Sequence, residues 1–362
     1  MAVRKSSLEI MVAYPDPSFW RGKRVLVTGH TGFKGGWLSL WLYQLGAEVS
    51  GISLHPTTQP NLFELARIHE HCQNYFCDLG NEREVYEVMQ QVRPDIVFHL
   101  AAQPLVRAGY RDPIGTYQTN VMGTVHLLEA LRHIPNPPRV IVLITTDKVY
   151  KNREWVWPYR ENDALGGHDP YSASKAAAEL IIESYRKAFF APQGIAVASA
   201  RAGNVIGGGD WSEDRLIPDA VRAWTANQTL YIRNPDAVRP WQHVLEPLSG
   251  YLALATSLWG NPDMADAYNF GPYPSSFQTV RELVKEASAY FNGQWEMIRE
   301  EGAPHEAGLL TLSIEKAATV LDWRPRWSFS EGIRKTMEWY RAVYDDTPAL
   351  HQMLWDIEDF CA

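Results

Sequence analysis

The chain has 362 residues, 46% of them hydrophobic and 21% charged, a composition that excludes disordered and low-complexity proteins and suits one large domain with a smaller companion. A formal net charge of -8 disfavours a general nucleic-acid binder, which needs a basic surface to neutralise phosphates. The three cysteines fit neither a disulfide framework nor a zinc site, and no signal peptide or membrane span is visible, so we expect a cytoplasmic protein with reduced thiols.

From Arg24 onward, short apolar runs alternate with stretches of helical period. This alternation is the pattern that builds a parallel sheet covered by helices on both faces. We therefore predict an α/β fold with a Rossmann-type, doubly wound parallel sheet. Strands are predicted at 24–28, 47–53, 94–101, 139–146 and 195–202, and helices at 33–45, 82–93, 114–133 and 170–190.

After Asn204 the sequence changes to a run of three glycines and then to shorter elements separated by prolines. This change predicts a smaller C-terminal subdomain that binds substrate and is interleaved with the sheet domain. Helices are predicted at 243–259 and 313–321, whereas 204–242 and 271–308 are predicted to be rich in loops. The sheet domain would span 19–203, with returning segments near 243–270 and 309–323, and the subdomain would span 204–242, 271–308 and 324–362.

A glycine-rich loop, GHTGFKG, follows the first predicted strand and leads directly into a helix. Gly29, Gly32 and Gly35 permit a tight turn and close backbone approach, and the N–H groups that open the helix attract a pyrophosphate. We therefore predict a dinucleotide site. The GxxGxxG spacing resembles the short-chain dehydrogenase/reductase superfamily. That resemblance implies further cofactor contacts from Thr31, Phe33, Asp78, Leu79, Ala101 and Ala102.

Tyr171 and Lys175 lie four residues apart in the predicted helix 170–190, so they share one face. A neighbouring ammonium stabilises a phenolate and lowers the pKa of the tyrosine, which predicts that Tyr171 accepts a proton from a substrate alcohol. Thr146 is favoured over Thr145 to hydrogen-bond the reacting oxygen. The glycine loop, LAAQ at 100–103, the threonine pair and YxxxK follow the order of the active site in that superfamily.

Asp147 and Lys148 follow Thr146, where sugar-nucleotide 4,6-dehydratases carry a charged pair that is commonly Asp-Glu. The sequence resembles the CDP-glucose 4,6-dehydratase family over roughly residues 19–330. The resemblance is carried by this Asp-Lys pair and by GHTGFKGGWLSLWL, LAAQPLVRAGY, YSASK, RAGNVIGGGDW and RPWQHVLEPLSGYL. The resemblance implies that Tyr171 serves the oxidation of C4 of CDP-glucose and that Asp147 protonates the departing C6 hydroxyl. Lys148 would either take the C5 proton or stay charged and stabilise the enolate.

The identity of the dinucleotide depends on the end of the second predicted strand, which reads GISLHP. It carries neither the acidic residue that binds a ribose hydroxyl of NAD nor the arginine that accepts the extra phosphate of NADP. These residues alone leave both cofactors open. The family resemblance implies NAD.

An acidic protein that binds a sugar nucleotide must place cations locally around its diphosphate. Arg239, in RNPDAVRPWQH, is the strongest predicted phosphate ligand, and Arg215 and Arg233 are weaker candidates. Arginine presents a bidentate fork that suits phosphate oxygens. The resemblance implies that Asn204 contacts sugar or phosphate. Further candidates are Gln103 and Lys34 for substrate or pyrophosphate, and Trp211 or Tyr231 for the cytosine ring.

Several functions other than dehydration of CDP-glucose stay open at this point. They are a 4-epimerase, a dehydratase for another nucleotide, and a non-catalytic scaffold or sensor, which the complete catalytic set disfavours. His30, His99 and His243 lack carboxylate partners at ligand spacing, so no metal site is predicted. The resemblance implies a homodimer or homotetramer paired through helices 114–133 and 170–190, no nucleic-acid or membrane partner, and a product used for the 3,6-dideoxyhexoses of surface polysaccharide.

Overall fold

The computed structural model describes residues 15–298 and 308–362 and has a seven-stranded sheet at its centre. Every pair of neighbouring strands in this sheet is parallel. The strand order and the flanking helices confirm the predicted Rossmann-type fold. Counted from one edge of the sheet, the order in which the strands are added reverses between the third and fourth strands, and a crevice opens there at their carboxyl ends. Across the sheet the strands are β3 (Gln73–Phe76), β2 (Glu48–Ser53), β1 (Arg24–Thr28), β4 (Ile96–His99), β5 (Val140–Thr145), β6 (Ala196–Ala202) and β11 (Ala267–Phe270).

Helices cover both faces of the sheet, and two hydrophobic clusters fill the space between helices and strands. Alternate residues of β1 point to opposite faces, so Val25 and Val27 join one cluster and Leu26 joins the other. The helices are α1 (Pro17–Trp20), α2 (Phe33–Gln44), α3 (Leu62–Leu65), α4 (Glu82–Val92), α5 (Val106–Arg111), α6 (Pro113–Tyr117), α7 (Gly123–His133), α8 (Pro170–Tyr185), α9 (Leu216–Thr225), α10 (Leu245–Gly260), α11 (Val280–Ser288), α12 (Glu315–Val320), α13 (Phe329–Tyr344) and α14 (Ala349–Cys361).

Short strands and helices occupy the segments that were predicted to be rich in loops. The helices α9 and α11 lie in these segments, between stretches without helix or strand, and residues 299–307 lie outside the described chain. Strands of only two or three residues are too short to show a period in the sequence. Three two-stranded sheets pair β7 (Val205–Ile206) with β10 (Gln242–His243), β8 (Leu230–Ile232) with β13 (Trp295–Met297), and β9 (Val238–Pro240) with β12 (Phe277–Thr279).

The glycine run at 207–209 is packed tightly between α2, which follows the glycine loop, and α13 near the end of the chain. A Cβ on Gly208 would lie 2.0 Å from the ring of Trp339, so only glycine fits there. The carbonyl of Gly208 accepts a hydrogen bond of 2.9 Å from Nε1 of Trp37. Trp37 and Trp339 belong to one hydrophobic cluster with Trp211 and Val284. This cluster crosses the predicted subdomain boundaries, and the division into two subdomains stays a prediction.

No helix among the described residues combines the length and the apolar composition that crossing a membrane requires.

Candidate active site

A large cavity of about 1220 Å³ lies at the carboxyl ends of the central strands. Its wall contains the glycine loop, the residues that follow β4, β5 and β6, and the segment around β8 and β9. Every predicted site residue except Gln103 lines this cavity. The amide group of Gln103 is used elsewhere: its Nε2 donates to Thr116 at 2.9 Å, and its Oε1 accepts from the backbone N–H of Leu105 at 2.6 Å. Its predicted substrate contact therefore gains no support.

The glycine loop has the close backbone approach that a dinucleotide cradle needs. Gly29 has a φ of +77°, and a Cβ there would lie 2.8 Å from the backbone nitrogen of Ala101. A Cβ on Gly35 would lie 2.0 Å from the carbonyl oxygen of Gly29. The helix α2 begins at Phe33, and its N-cap Gly32 has no side chain to cap it, so the first N–H groups are available to a pyrophosphate. The loop fits a dinucleotide.

The region beside β2 and β3 has the room and the surfaces for the adenosine half of such a cofactor. Thr31 Oγ1 contacts Ser53 Oγ at 2.8 Å and donates to the carbonyl of Leu54 at 2.9 Å. The rings of His55 and Phe76 stack with centroids 3.9 Å apart beside this end of the cavity. The predicted residues Asp78, Leu79, Ala101 and Ala102 line the same wall.

Tyr171 and Lys175 lie on the first turns of α8, which begins at Pro170 and is capped by Asp169. Both are buried, and the Lys175 ammonium donates to the carbonyl of Ile144 at 2.9 Å. Burial raises the pKa of Tyr171 to about 12, against the opposing effects of a hydrogen bond with Thr146 and the charge of Arg215. Burial outweighs the groups that lower the pKa of Tyr171, and the predicted effect of Lys175 on this tyrosine stays a prediction. Burial also lowers the pKa of Lys175, to about 8.

The two threonines that end β5 and follow it have different partners. Thr145 Oγ1 donates to Glu179 at 2.5 Å, inside the core. Thr146 Oγ1 is hydrogen-bonded to Tyr171 and donates to Asp147 Oδ1 at 2.9 Å, at the cavity wall. The choice of Thr146 as the residue that orients a reacting oxygen agrees with this arrangement.

Asp147 is fully buried at the start of a 3-10 turn that spans Asp147–Val149. Its carboxylate accepts hydrogen bonds from Thr146 and from Asn204 Nδ2, the latter at 3.3 Å. A Cβ on Gly203 would lie 2.1 Å from this carboxylate, so glycine is required behind it. Lys148 Nζ lies 3.8 Å from Asp147 Oδ1, and the Lys148 side chain is 34% exposed. The acid is thus enclosed, and its lysine neighbour reaches water.

The predicted phosphate ligands Arg215, Arg233 and Arg239 line the cavity and have different protein partners. Arg215 forms an ion pair of 2.9 Å with Asp210, and its charge reaches Tyr171. Arg233 lies 3.9 Å from Asp214, and Arg239 donates to backbone carbonyls of Val238 and Gly308 at 3.0 and 3.3 Å.

Arg107 is a cavity residue that sequence reasoning missed. It lies 3.8 Å from the same carboxylate of Asp214 that Arg233 approaches. The available signal was its place shortly after LAAQ, because residues that follow a central strand reach the crevice. Both ring candidates for the cytosine line the cavity; Tyr231 is 59% exposed, whereas Trp211 is buried against Tyr340.

Histidines near the cavity have partners that assign them to the framework. His99 Nδ1 contacts Thr28 Oγ1 at 2.8 Å, and its other ring nitrogen contacts Thr124. Burial lowers the pKa of His99 to about 3 and that of His30 to about 4, so both are neutral. Within 15–298 and 308–362, no group of three or more His, Cys, Asp or Glu side chains could hold a metal ion.

Comparisons with known proteins show where this arrangement recurs. The family model for GDP-mannose 4,6 dehydratase matches residues 26–336. A CDP-glucose 4,6-dehydratase of Salmonella typhimurium is 48% identical over 335 residues, which cover 90% of this chain and 93% of that protein. A dTDP-glucose 4,6-dehydratase of Xanthomonas campestris pv. campestris is 28% identical over 337 residues, which cover 87% of this chain and 92% of that protein.

Solved structures share the fold. A UDP-glucose 4-epimerase of Thermus thermophilus in complex with NAD superposes with a TM-score of 0.76 and 26% identity, over 88% of this chain and 99% of that one. A dTDP-glucose 4,6-dehydratase of Bacillus anthracis in complex with NAD superposes with a TM-score of 0.73 and 23% identity, over 89% of this chain and 97% of that one. The two superpositions cover most of each chain, so the fold is shared as a whole.

Proposed function

Because the chain belongs to the GDP-mannose 4,6-dehydratase family, we propose that it is an NAD-dependent 4,6-dehydratase that converts CDP-D-glucose to CDP-4-dehydro-6-deoxy-D-glucose and water. The observation that carries this proposal is the enclosed Asp147, hydrogen-bonded to the same Thr146 that contacts Tyr171. The residues that serve oxidation at C4, Thr146, Tyr171 and Lys175, suffice for epimerisation there. Loss of water from C6 also needs a proton donor for the departing hydroxyl. The 48% identity to a CDP-glucose 4,6-dehydratase supports the nucleotide.

In the first half of the reaction, Tyr171 takes the O4 proton and Thr146 orients that oxygen. When bound on the glycine loop, NAD supplies reversible hydride acceptance, which leaves the overall conversion redox-neutral. Tyr171 must be a phenolate before it takes this proton, and the charge of Arg215 stabilises that phenolate in the buried site. Lys175 lies on the next turn of the same helix. The 4-keto group that results acidifies the neighbouring C5–H bond.

In the second half, Asp147 in its protonated form donates to the departing C6 hydroxyl, and water leaves. Two roles were open for Lys148, base or charged stabiliser. Its Nζ lies 3.8 Å from Asp147 Oδ1, which suits both roles. As a neutral amine Lys148 would take the C5 proton, and as an ammonium it would support negative charge on the carboxylate and the enolate.

The sugar nucleotide would lie with its diphosphate along the arginines of the far wall. Arg239, Arg233 and Arg215 supply guanidinium groups there, and Arg107 adds a fourth. Asn204 lies between this wall and Asp147, which suits a contact with the sugar. Tyr231 offers an exposed ring for stacking on the cytosine.

The assembly and cellular role form part of the same proposal. The chain would form a homodimer or homotetramer in the cytoplasm, paired through α6, α7 and α8. Ile114 and Leu180 on these helices are 71% and 59% exposed, which supports an apolar contact between copies. The product would enter synthesis of 3,6-dideoxyhexoses for surface polysaccharide.

In the decisive experiment, the protein is incubated with NAD and one nucleotide sugar at a time: CDP-glucose, UDP-glucose, dTDP-glucose or GDP-glucose. We expect only CDP-glucose to give the 4-keto-6-deoxy product, detected by its absorbance in strong alkali. A product with the C6 hydroxyl retained and C4 inverted would identify an epimerase, and dehydration of another nucleotide would change the substrate. Binding of NAD without any turnover would indicate a scaffold or sensor.

A further inference from the structure

One wall of the cavity is formed by α9 and β8, which pack against each other. Within the described chain, β8 has a strand neighbour along one edge only, and that neighbour is β13. The N–H of Leu230 donates to the carbonyl of Gln294 at 2.9 Å, and the carbonyl of Ile232 accepts from Ile298 at 2.9 Å. Successive residues of a strand direct their backbone groups to opposite edges, so the N–H and the carbonyl of Tyr231 face the open edge. This edge offers a planar base one donor and one acceptor.

Asp219 on α9 brings a carboxylate to the same wall, where its side chain is 39% exposed. Its Oδ1 accepts from Arg222, whose guanidinium also donates to the carbonyls of Trp211 and Ser212 at 3.0 Å each. Its Oδ2 has no hydrogen-bond partner in the part of the chain that the structure describes. The carboxylate is therefore held in place through one oxygen, while the other is available to a ligand.

A second carboxylate near this wall, that of Asp214, is differently placed. Its Oδ1 lies 3.8 Å from the guanidinium of Arg107 and 3.9 Å from that of Arg233. Two positive groups thus approach one oxygen, which suits a role beside the diphosphate. Asp219 has the position and the free oxygen for a neutral, planar donor.

The amine at C4 is the group that separates cytosine from uracil and thymine. Cytosine presents N–H donors at this position, whereas uracil and thymine present a carbonyl oxygen there. A carboxylate accepts a hydrogen bond from the amine and repels the carbonyl oxygen. A single carboxylate beside C4 therefore selects cytosine both by attraction and by exclusion of the other two bases.

Resting on the function proposed above, we propose that Asp219 determines the choice of nucleobase by accepting a hydrogen bond from the C4 amine of cytosine on Oδ2. The backbone N–H of Tyr231 donates to an acceptor of the same ring. Cytosine and uracil both carry a carbonyl oxygen at C2, so this backbone contact tolerates either base. The discrimination between them rests on Asp219.

The test measures nucleotide affinity directly and without turnover. Calorimetric titration of the NAD-loaded protein with CDP and with UDP gives the ratio of the two dissociation constants. Asp219→Asn keeps the size of the side chain, and because Arg222 donates to its oxygen, the new NH2 group is left to donate to a C4 carbonyl. Asp219→Ala removes both groups. Asp214→Asn is the comparison within the cavity, and Glu213→Gln, which changes an exposed carboxylate outside the cavity lining, is the control.

We expect the wild type to bind CDP more tightly than UDP, and Asp219→Asn to lower this preference by about 10- to 100-fold. The Asn variant should bind CDP more weakly and UDP more tightly, whereas Asp219→Ala should weaken CDP alone. Asp214→Asn should change both affinities by the same factor, and Glu213→Gln should change neither. Denaturant unfolding of each variant checks that it is folded.

An unchanged ratio in Asp219→Asn would overturn the assignment, as would an equal loss of affinity for both nucleotides or a changed ratio in Asp214→Asn. Failure of the proposed function is distinguishable from failure of this assignment. A wild-type protein that gives no 4-keto-6-deoxy sugar from CDP-glucose contradicts the function. A wild-type protein that dehydrates CDP-glucose, but whose preference for CDP survives in Asp219→Asn, contradicts the assignment alone.

Discussion

Glu179 stands one helical turn beyond Lys175 and two beyond Tyr171, on the same face of α8. It is buried and accepts hydrogen bonds from Ser199 at 2.7 Å and from Arg201 at 2.8 Å. Its negative charge raises the pKa of Lys175 and so opposes the burial that lowers it. The charge of the catalytic lysine therefore depends on a residue that never touches substrate.

Replacing Glu179 with Gln should shift the pH dependence of turnover. The pKa of Lys175 is already lowered to about 8 by burial, and loss of the Glu179 charge lowers it further. Lys175 then loses its proton at lower pH, so the alkaline limb of kcat should move down by about one pH unit. Arg201, left without its partner, acts in the same direction.

The matched control is Glu183→Gln, which removes an exposed carboxylate from the next turn of the same helix. Its kcat profile should coincide with that of the wild type. An alkaline limb that stays in place in Glu179→Gln would show that Glu179 has only a structural role.

The residues of the site divide by what a sequence displays. YxxxK and the glycines are recognisable in the sequence by their spacing, and the threonine pair by its place after the predicted strand 139–146. The direction of the Tyr171 pKa shift is not, because burial depends on elements far apart in the chain. The engagement of Gln103 with Thr116 is likewise a tertiary contact that no local pattern encodes.

At the scale of elements, strands within continuous apolar runs were predictable, including the four-residue β4, whereas β3 and β11 were not. The strand β5 is buried throughout, so its sequence is continuously apolar, as in a sheet covered on both faces. The strands β3 and β11 have four residues each, and β3 lies at the sheet edge with polar, partly exposed side chains. The predicted helix 114–133 is interrupted by a π-type turn at Gln118–Met122.

The turn after β1 offers a prediction with an internal control. Gly29→Ala introduces a Cβ 2.8 Å from Ala101 and a strained φ, so we expect at least about tenfold weaker NAD binding besides lost stability. Gly22 has a φ of +71° with nothing within 4 Å, so Gly22→Ala should cost about 1 kcal/mol of stability and leave NAD affinity unchanged. Titration with NAD and denaturant unfolding measure both; equal NAD affinity in the two variants would contradict the cradle.

At the scale of the whole molecule, the exposed apolar side chains of α6 and α8 make self-association testable. Leu180→Asp places a charge on the proposed contact, where burying it is costly, and should convert the assembly to monomers in sedimentation velocity. Val320→Asp on α12, an exposed apolar residue on another helix, should leave the assembly unchanged. An unaltered oligomer in Leu180→Asp would exclude this face.

The packing of Trp37 and Trp339 on either side of Gly208 has a consequence for the protein during its synthesis. The two tryptophans are 302 positions apart, so at about 5–20 residues per second roughly 15–60 s separate their appearance on the ribosome. Over that interval the first strands can pair, while the glycine run at 207–209 lacks the Trp339 ring that packs it against α2. The packing around Gly208 in the nascent chain is therefore incomplete until α13 has been synthesised.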